Sequence, residues 1–152
     1  TCDGAFYREK TVAVVGGGDS AMEEATFLTR FADKVYVIHR SENLRASAAM
    51  LERARNDPKI EFVLNATVEH IYGDDLVSGI GMLDTQSGAE TTLDLSGLFI
   101  AIGSDPRTHV VHGQLDLTSE GTIAVEGRTS HTNLDGVFAA GDVLDSPYRP
   151  VP

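Results

Sequence analysis

Three short apolar runs divide the N-terminal part of the chain. The first run, residues 11–15, is continuous rather than alternating, which is typical of a strand buried on both faces of a parallel sheet. The runs are residues 11–15, 34–38 and 60–64. Helical patterns separate them, over residues 19–31 and over residues 45–56, where Asp57-Pro58 ends the second pattern. This order predicts alternating strands and helices around a parallel sheet.

The pattern changes after residue 64. Three segments alternate between apolar and polar residues and are separated by turn clusters at residues 73–75 and 86–88. These segments are residues 67–72, 76–83 and 89–95. We therefore predict an α/β fold, with a Rossmann-like parallel sheet, helices and an inserted three-stranded antiparallel β-meander. Later runs predict a central strand, a short strand and a last buried strand at residues 97–103, 122–126 and 136–142.

A glycine-rich segment joins the first strand to the first helical pattern. Gly16, Gly18 and Ala21 form G-x-G-x-x-A, a dinucleotide-binding fingerprint. The first glycine permits a tight turn, the second leaves room for a pyrophosphate, and the alanine keeps the helix close to the sheet. Free N–H groups and the positive end of the helix dipole then face the phosphates. Ser20 and Glu23 also have capping-box spacing, so a helix cap and a phosphate contact are both open to Ser20, and the two roles can hold together.

The end of the second strand carries positive charge. An NAD site usually has an acidic residue there, which binds the ribose 2′-hydroxyl. This chain instead has His39 and Arg40, with Arg45 a short loop away. Guanidinium groups form charge-assisted bonds to a 2′-phosphate, which favours NADP. The alternative is that both arginines are solvated surface charges.

Composition narrows the possible functions. The net charge of −11 argues against a nucleic-acid surface, and no apolar run reaches the length of a membrane span. One cysteine excludes a disulfide within the chain and, without a signal peptide pattern, fits the cytoplasm. His109 and His112 lack further ligands nearby in the sequence, so no metal site is expected.

Several segments together resemble the NADPH domain of bacterial low-molecular-weight thioredoxin reductases, which belong to the pyridine nucleotide-disulfide oxidoreductase class, with the actinobacterial type most similar. They occur in the family's order and span almost the whole chain. The segments are Thr1-Cys-Asp-Gly4, residues 12–25, Val37-Ile-His-Arg40, Leu44-Arg-Ala46, residues 98–103 and residues 136–142.

The resemblance implies a piece of a flavoprotein with two dinucleotide-binding domains. Residues 1–9 would be an inter-domain lead-in strand, residues 10–135 the NADPH-binding domain, and residues 136–152 a return strand toward an absent FAD domain. Cys2 would match the second cysteine of the C-x-x-C redox motif. The implied reaction passes a hydride from NADPH to FAD, then electrons to the disulfide and to thioredoxin. The intact protein would be a homodimer, and this chain alone would bind nucleotide at most.

The resemblance also assigns roles to residues. Cys2 would face the flavin and Asp3 would be the nearby acid or base. Arg40 would contact the 2′-phosphate, while Asp142 and Arg149 would hold the flavin. The remaining cofactor-binding residues would be Gly16, Gly17, Gly18, Asp19, Ser20, Ala21, His39, Arg45, Ile102 and Gly103.

Four positions depart from the family pattern. Ser41 stands where the family has a second arginine, and Ser104, Thr122 and Pro150 replace a histidine, an aromatic residue and a glutamine. Two alternatives therefore stay open. One is a ferredoxin- or flavin-linked relative, or another reductase-like flavoprotein, with a degenerate NADPH site. The other is a non-catalytic module that senses a dinucleotide.

Overall fold

The computed structural model of the protein describes residues 3–103, 106–127 and 129–144. These residues belong to two compact units, the first ending at Gly103 and the second following it. The first unit contains two α-helices, α1 (Asp19–Leu28) and α2 (Ala48–Arg55). Its strands are β1 (Thr11–Val15), β2 (Lys34–His39), β3 (Ile60–Leu64), β4 (Ala66–Gly73), β5 (Val77–Asp84), β6 (Glu90–Asp94) and β7 (Gly97–Ile100).

The strands form two sheets. The first has the order β3-β2-β1-β7 and its neighbouring strands are parallel. The second has the order β4-β5-β6 and is antiparallel. The predicted fold class, a Rossmann-like parallel sheet with an inserted three-stranded meander, is confirmed.

Two apolar clusters cover the two faces of the parallel sheet. On one face, α1 packs Met22 and Leu28 against Val12 and Val14 of β1. Met22 and Leu28 are fully buried, and burial of each such side chain contributes about 1.5–3 kcal/mol. The opposite face meets the meander through a second cluster that includes Ile38 and Ile80. Strands β1 and β2 are therefore packed on both faces, and the loops that follow them start from buried strands.

Several predicted elements differ from the structure in type or bounds, among them the strand predicted at residues 97–103, which ends at Ile100. Residues 3–7 of the lead-in form a 3-10 helix rather than a strand. Helix α1 ends at Leu28 instead of residue 31, because the amides of Arg30 and Phe31 bond to the carbonyls three residues earlier. Helix α2 starts at Ala48 instead of Arg45. The amides of residues 45–47 make other bonds, described below.

The second unit has little regular structure in its described part. It contains a 3-10 helix at Thr108–Val111 and a small cluster with Leu115, Ile123 and Ala139 buried. The predicted strands at residues 122–126 and 136–142 are wrong. Only isolated bridges occur there, and Phe138 is 59% exposed. In the run at residues 136–142, Ala139 is buried, whereas the larger apolar side chains of Val137 and Phe138 are exposed.

Candidate functional site

The segment between β1 and α1 turns sharply at Gly16. The Gly16 amide donates to the Ile38 carbonyl oxygen at 3.0 Å. A Cβ at Gly16 would contact the Ala101 carbonyl oxygen and would lie 2.8 Å from Ala21 Cβ. No side chain fits at Gly16, and the small Ala21, itself fully buried, brings the first turn of α1 against the strand end. The fingerprint thus has the close packing that its spacing predicts.

Gly18 forms the N-cap of α1 in an extended conformation. Apart from its own chain neighbours, no atom of the described residues would lie within 4 Å of an added Cβ there, so the space in front of the helix start is open. The predicted capping box is wrong, because the Gly18 carbonyl accepts the Met22 amide and the helix already includes Ser20. The cap alternative for Ser20 is thereby removed, and its side chain is exposed in the first turn.

The loop between β2 and α2 is hydrogen-bonded to the glycine turn. The amides of Arg45 and Ala46 donate to the Gly17 carbonyl oxygen at 2.7 and 2.9 Å. The next amide, of Ser47, donates to Asp19 Oδ1 at 2.6 Å. Three consecutive amides therefore bond to the segment that carries the fingerprint, and the backbone of Arg45 is fixed relative to it.

Arg40 and Arg45 are both exposed and lie at the two ends of this loop. The Arg40 carbonyl accepts a bond from Thr85 Oγ1 at 3.1 Å. In the part of the chain that the structure describes, the one ion pair is Lys34 with Glu61. Neither arginine is thus neutralised by a described carboxylate, and both remain available to an anion.

The His39 side chain lies between two features of the site, the glycine turn that it contacts and the charges of Arg40 and Arg45 that affect its pKa. A Cβ at Gly17 would lie 2.5 Å from His39 Cε1, so the imidazole lies against the Gly17 backbone. Burial lowers the pKa of His39, the Asn43 backbone raises it, and the positive charges of Arg40 and Arg45 lower it further. The two guanidinium groups therefore act electrostatically on a ring that contacts the fingerprint.

The lowered pKa of His39 predicts a pH-dependent stability. The native state favours the neutral imidazole, so this stabilisation is complete above the unfolded pKa of 6.5 and is lost as pH falls through the lower folded pKa. We expect the urea midpoint to fall on acidification below pH 6.5, and His39→Gln to remove that part of the decrease. The matched control is His70→Gln, at an exposed position of β4. An identical pH profile for wild type and His39→Gln would contradict the prediction.

A groove of about 430 Å³ extends along the outside of α1. Ser20 and Glu23 line it from α1, Arg30 lines it from just beyond the C-terminal end of the helix, and residues 100, 101 and 103 line it from the end of β7 and the segment that follows. Glu23 Oε2 is buried without a described hydrogen-bond partner, and burial raises the pKa of the adjacent Glu24. The capping-box interpretation missed Glu23 as a groove residue. Its position three residues after Ser20 was the available signal.

The remaining predicted residues are spread over both units. Ile102 is 64% exposed and Gly103 has a positive φ of 83°, which favours glycine. Asp3 is exposed at the start of the 3-10 helix, and Asp142 is exposed in the second unit. Thr122 is buried and shares a hydrogen bond with Thr118. Cys2, Ser104, Arg149 and Pro150 lie outside the described residues.

Residues 3–103, 106–127 and 129–144 contain neither a cluster of metal ligands nor a helix that could span a bilayer. No group of three His, Cys, Asp or Glu side chains in these ranges could hold a metal ion. No helix in them has the length and apolar character that a bilayer crossing requires.

Comparison with known proteins identifies the family. The pyridine nucleotide-disulphide oxidoreductase family matches residues 2–151. Thioredoxin reductase from Mycolicibacterium smegmatis is 56% identical over 149 residues, which cover 98% of this chain and 48% of that protein. Thioredoxin reductase from Streptomyces clavuligerus is 53% identical, with 98% and 46% covered.

Solved structures agree with this similarity. The crystal structure of Lactococcus lactis thioredoxin reductase superposes with a TM-score of 0.82 at 36% identity, covering 99% of this chain and 50% of that one. The chain thus spans about half the length of the curated relatives it matches. The chain belongs to the pyridine nucleotide-disulphide oxidoreductase family, and its similarity within that family is to thioredoxin reductases, actinobacterial ones included.

Proposed function

We propose that this chain is the NADPH-binding part of a thioredoxin reductase. The observation that carries the proposal is the pair of hydrogen bonds from Arg45 and Ala46 to the Gly17 carbonyl. These bonds connect a phosphate-binding fingerprint with the loop that presents Arg40 and Arg45. A pyrophosphate group and a ribose 2′-phosphate are both anionic, and the two features are suited to binding one each.

The residues of the first unit fit this cofactor. The backbone N–H groups at the start of α1 face open space in front of Gly18, where a pyrophosphate can approach. Arg40 and Arg45 would hold the 2′-phosphate, and His39 would support the turn through its contact with Gly17. Ser20, Ile102 and Gly103 would border the rest of the cofactor. NADPH bound there would supply the hydride that the flavin of the intact enzyme accepts.

The reaction of the whole protein is part of the same proposal. NADPH and FAD would supply two electrons that, together with two protons, convert the disulfide that includes Cys2 to two thiols, and these thiols would reduce the disulfide of thioredoxin by exchange. Asp3 would donate or accept the proton of the thiol, and Asp142 and Arg149 would contact the flavin. The domain boundaries at residues 9 and 135, the homodimer and the cytoplasmic location stay predictions.

A titration with two nucleotides tests the proposal. We expect the chain to bind NADPH more tightly than NADH, because charge-assisted hydrogen bonds contribute about 1.5–3 kcal/mol each. Arg40→Ala combined with Arg45→Ala should weaken NADPH binding at least about tenfold and leave NADH binding unchanged. Isothermal titration calorimetry measures all four dissociation constants.

The control removes the same charge elsewhere. Arg8 and Arg55 are exposed and lie beside the C-terminal ends of α1 and α2, Arg8 with its guanidinium 5.8 Å from the Phe31 ring centroid. Arg8→Ala combined with Arg55→Ala should keep the preference for NADPH. Equal wild-type affinities for NADPH and NADH would reject the proposal and favour a degenerate nucleotide site.

A further inference from the structure

We propose that Asp19 is a positioning residue that sets the preference for NADPH, rather than a direct contact of the cofactor. Its carboxylate accepts the Ser47 amide, 28 residues further along the chain, at 2.6 Å. This inference rests on the proposed function and adds to it the hydrogen bond that holds the phosphate-binding loop against the glycine turn. Asp19 would act indirectly, because it fixes the loop that carries Arg45.

The bond completes a three-point attachment of the loop. Residues 45, 46 and 47 donate successive amides to two acceptors, the Gly17 carbonyl and the Asp19 carboxylate. Ser47 is also the N-cap of α2, and its own side chain makes no capping bond. Without Asp19, the Ser47 amide would lose its described acceptor, and the loop would be free to separate from the turn on the α2 side.

Attachment of this kind affects selectivity rather than general binding. An exposed arginine loses side-chain and loop freedom when it binds a phosphate, which reduces its net contribution. A loop whose backbone is already fixed loses less freedom on binding. The 2′-phosphate is the group that distinguishes NADPH from NADH, so loosening the Arg45 loop should weaken NADPH binding selectively.

Electrostatics supports the indirect role. A carboxylate in direct contact with a pyrophosphate would repel it, since both groups are negative at neutral pH. The hydrogen bond to Ser47 gives Asp19 a partner that is not the cofactor. The feature that the proposal requires is an acceptor oxygen at position 19, and an amide side chain supplies one as well as a carboxylate does.

Three variants of the full chain test the role of the oxygen. Asp19→Ala should reduce the ratio of NADH to NADPH dissociation constants by about threefold to tenfold, a loss of one hydrogen bond's contribution. Asp19→Asn should restore the wild-type ratio, because the amide oxygen can accept the Ser47 amide. Ser47→Pro removes the donor instead and should reproduce the Asp19→Ala ratio. Ser47 has a φ of −59°, which is the angle that proline adopts, so Ser47→Pro is compatible with the native backbone. If Asp19→Ala does not fold, the ratio measured for Ser47→Pro tests the inference instead.

A matched control separates positioning from stability. Asp57 Oδ1 accepts the Lys59 amide at 2.9 Å, the same kind of bond beyond the other end of α2. Asp57→Ala should lower the urea midpoint and leave the dissociation-constant ratio unchanged. A ratio unaltered in Asp19→Ala, or lowered equally in Asp19→Asn, would overturn the inference while the wild-type preference for NADPH still stood. Loss of that wild-type preference itself would reject the proposed function instead.

Discussion

Alanine at Gly16 should destabilise the protein severely, whereas alanine at Gly18 should leave the fold intact and abolish NADPH binding. A Cβ at Gly16 would contact the Ala101 carbonyl oxygen and lie 2.8 Å from Ala21 Cβ. Both neighbours are held by the sheet and the first helix, so neither can move without disrupting β7 or α1. Overpacking of this kind costs about 3 kcal/mol, which urea denaturation followed by circular dichroism measures.

Gly18 gives the opposite result because its surroundings are empty. Within the part of the chain that the structure describes, only the neighbouring residues lie within 4 Å of an added Cβ, and Gly18 has an ordinary φ of −99°. Alanine reduces the conformational entropy of the unfolded chain, which stabilises the protein, but it is a poorer N-cap residue than glycine, which destabilises it. Because the two effects oppose one another, the free energy of unfolding should change by less than about 0.5 kcal/mol. The methyl group would occupy the space that we assign to the pyrophosphate. If Gly18→Ala kept wild-type affinity for NADPH in calorimetry, the pyrophosphate would have to bind elsewhere.

Local pattern was sufficient for the elements that a single stretch of chain determines. The continuous run at residues 11–15 is β1, and the run at 60–64 is β3, both with the predicted bounds. The helical pattern that starts at residue 19 is α1, whose residues Ala21, Met22, Ala25 and Leu28 are fully buried. Such segments follow from pattern because side-chain burial and backbone geometry favour the same structure.

Features that depend on distant residues could not be predicted in this way. Helical pattern begins at Arg45, but the Gly17 carbonyl takes the Arg45 and Ala46 amides, and the helix starts three residues later. The predicted capping box is wrong for a related reason, because the N-cap of α1 is Gly18 and not Ser20. Residues 136–142 show a further limit. An apolar run indicates a preference for burial, but it does not indicate which segment would cover it.

The same distinction applies to the candidate site. Gly16, Gly18, Arg40 and Arg45 could be named from sequence, because a fingerprint and a charged strand end are local features. The hydrogen bond from Ser47 to Asp19 joins two segments 28 residues apart, and no motif describes it. The burial of Glu23 Oε2 likewise depends on the groove around it. Sequence therefore indicated the candidate contacts, and the structure adds the bonds that hold them in place.

Leu28→Ala should cost about 3–4 kcal/mol of unfolding free energy, and saturating NADPH should restore most of that loss. Leu28 is fully buried in the last turn of α1, and removal of its side chain would leave a cavity in the cluster that holds this helix on the sheet. Leu76, which is 80% exposed, gives the matched control, and Leu76→Ala should change stability by less than about 0.5 kcal/mol.

The nucleotide part of this prediction connects the core to the proposed function. A ligand that binds only the native state adds about 2.7 kcal/mol at a concentration one hundred times its dissociation constant. Because α1 supplies both Leu28 and the first turn beneath the fingerprint, NADPH should raise the urea midpoint of Leu28→Ala strongly, and NADH at the same concentration should raise it less. Equal shifts with the two nucleotides would show that the 2′-phosphate contributes nothing to binding. An absence of any shift would show that the fingerprint is not a nucleotide site in this chain.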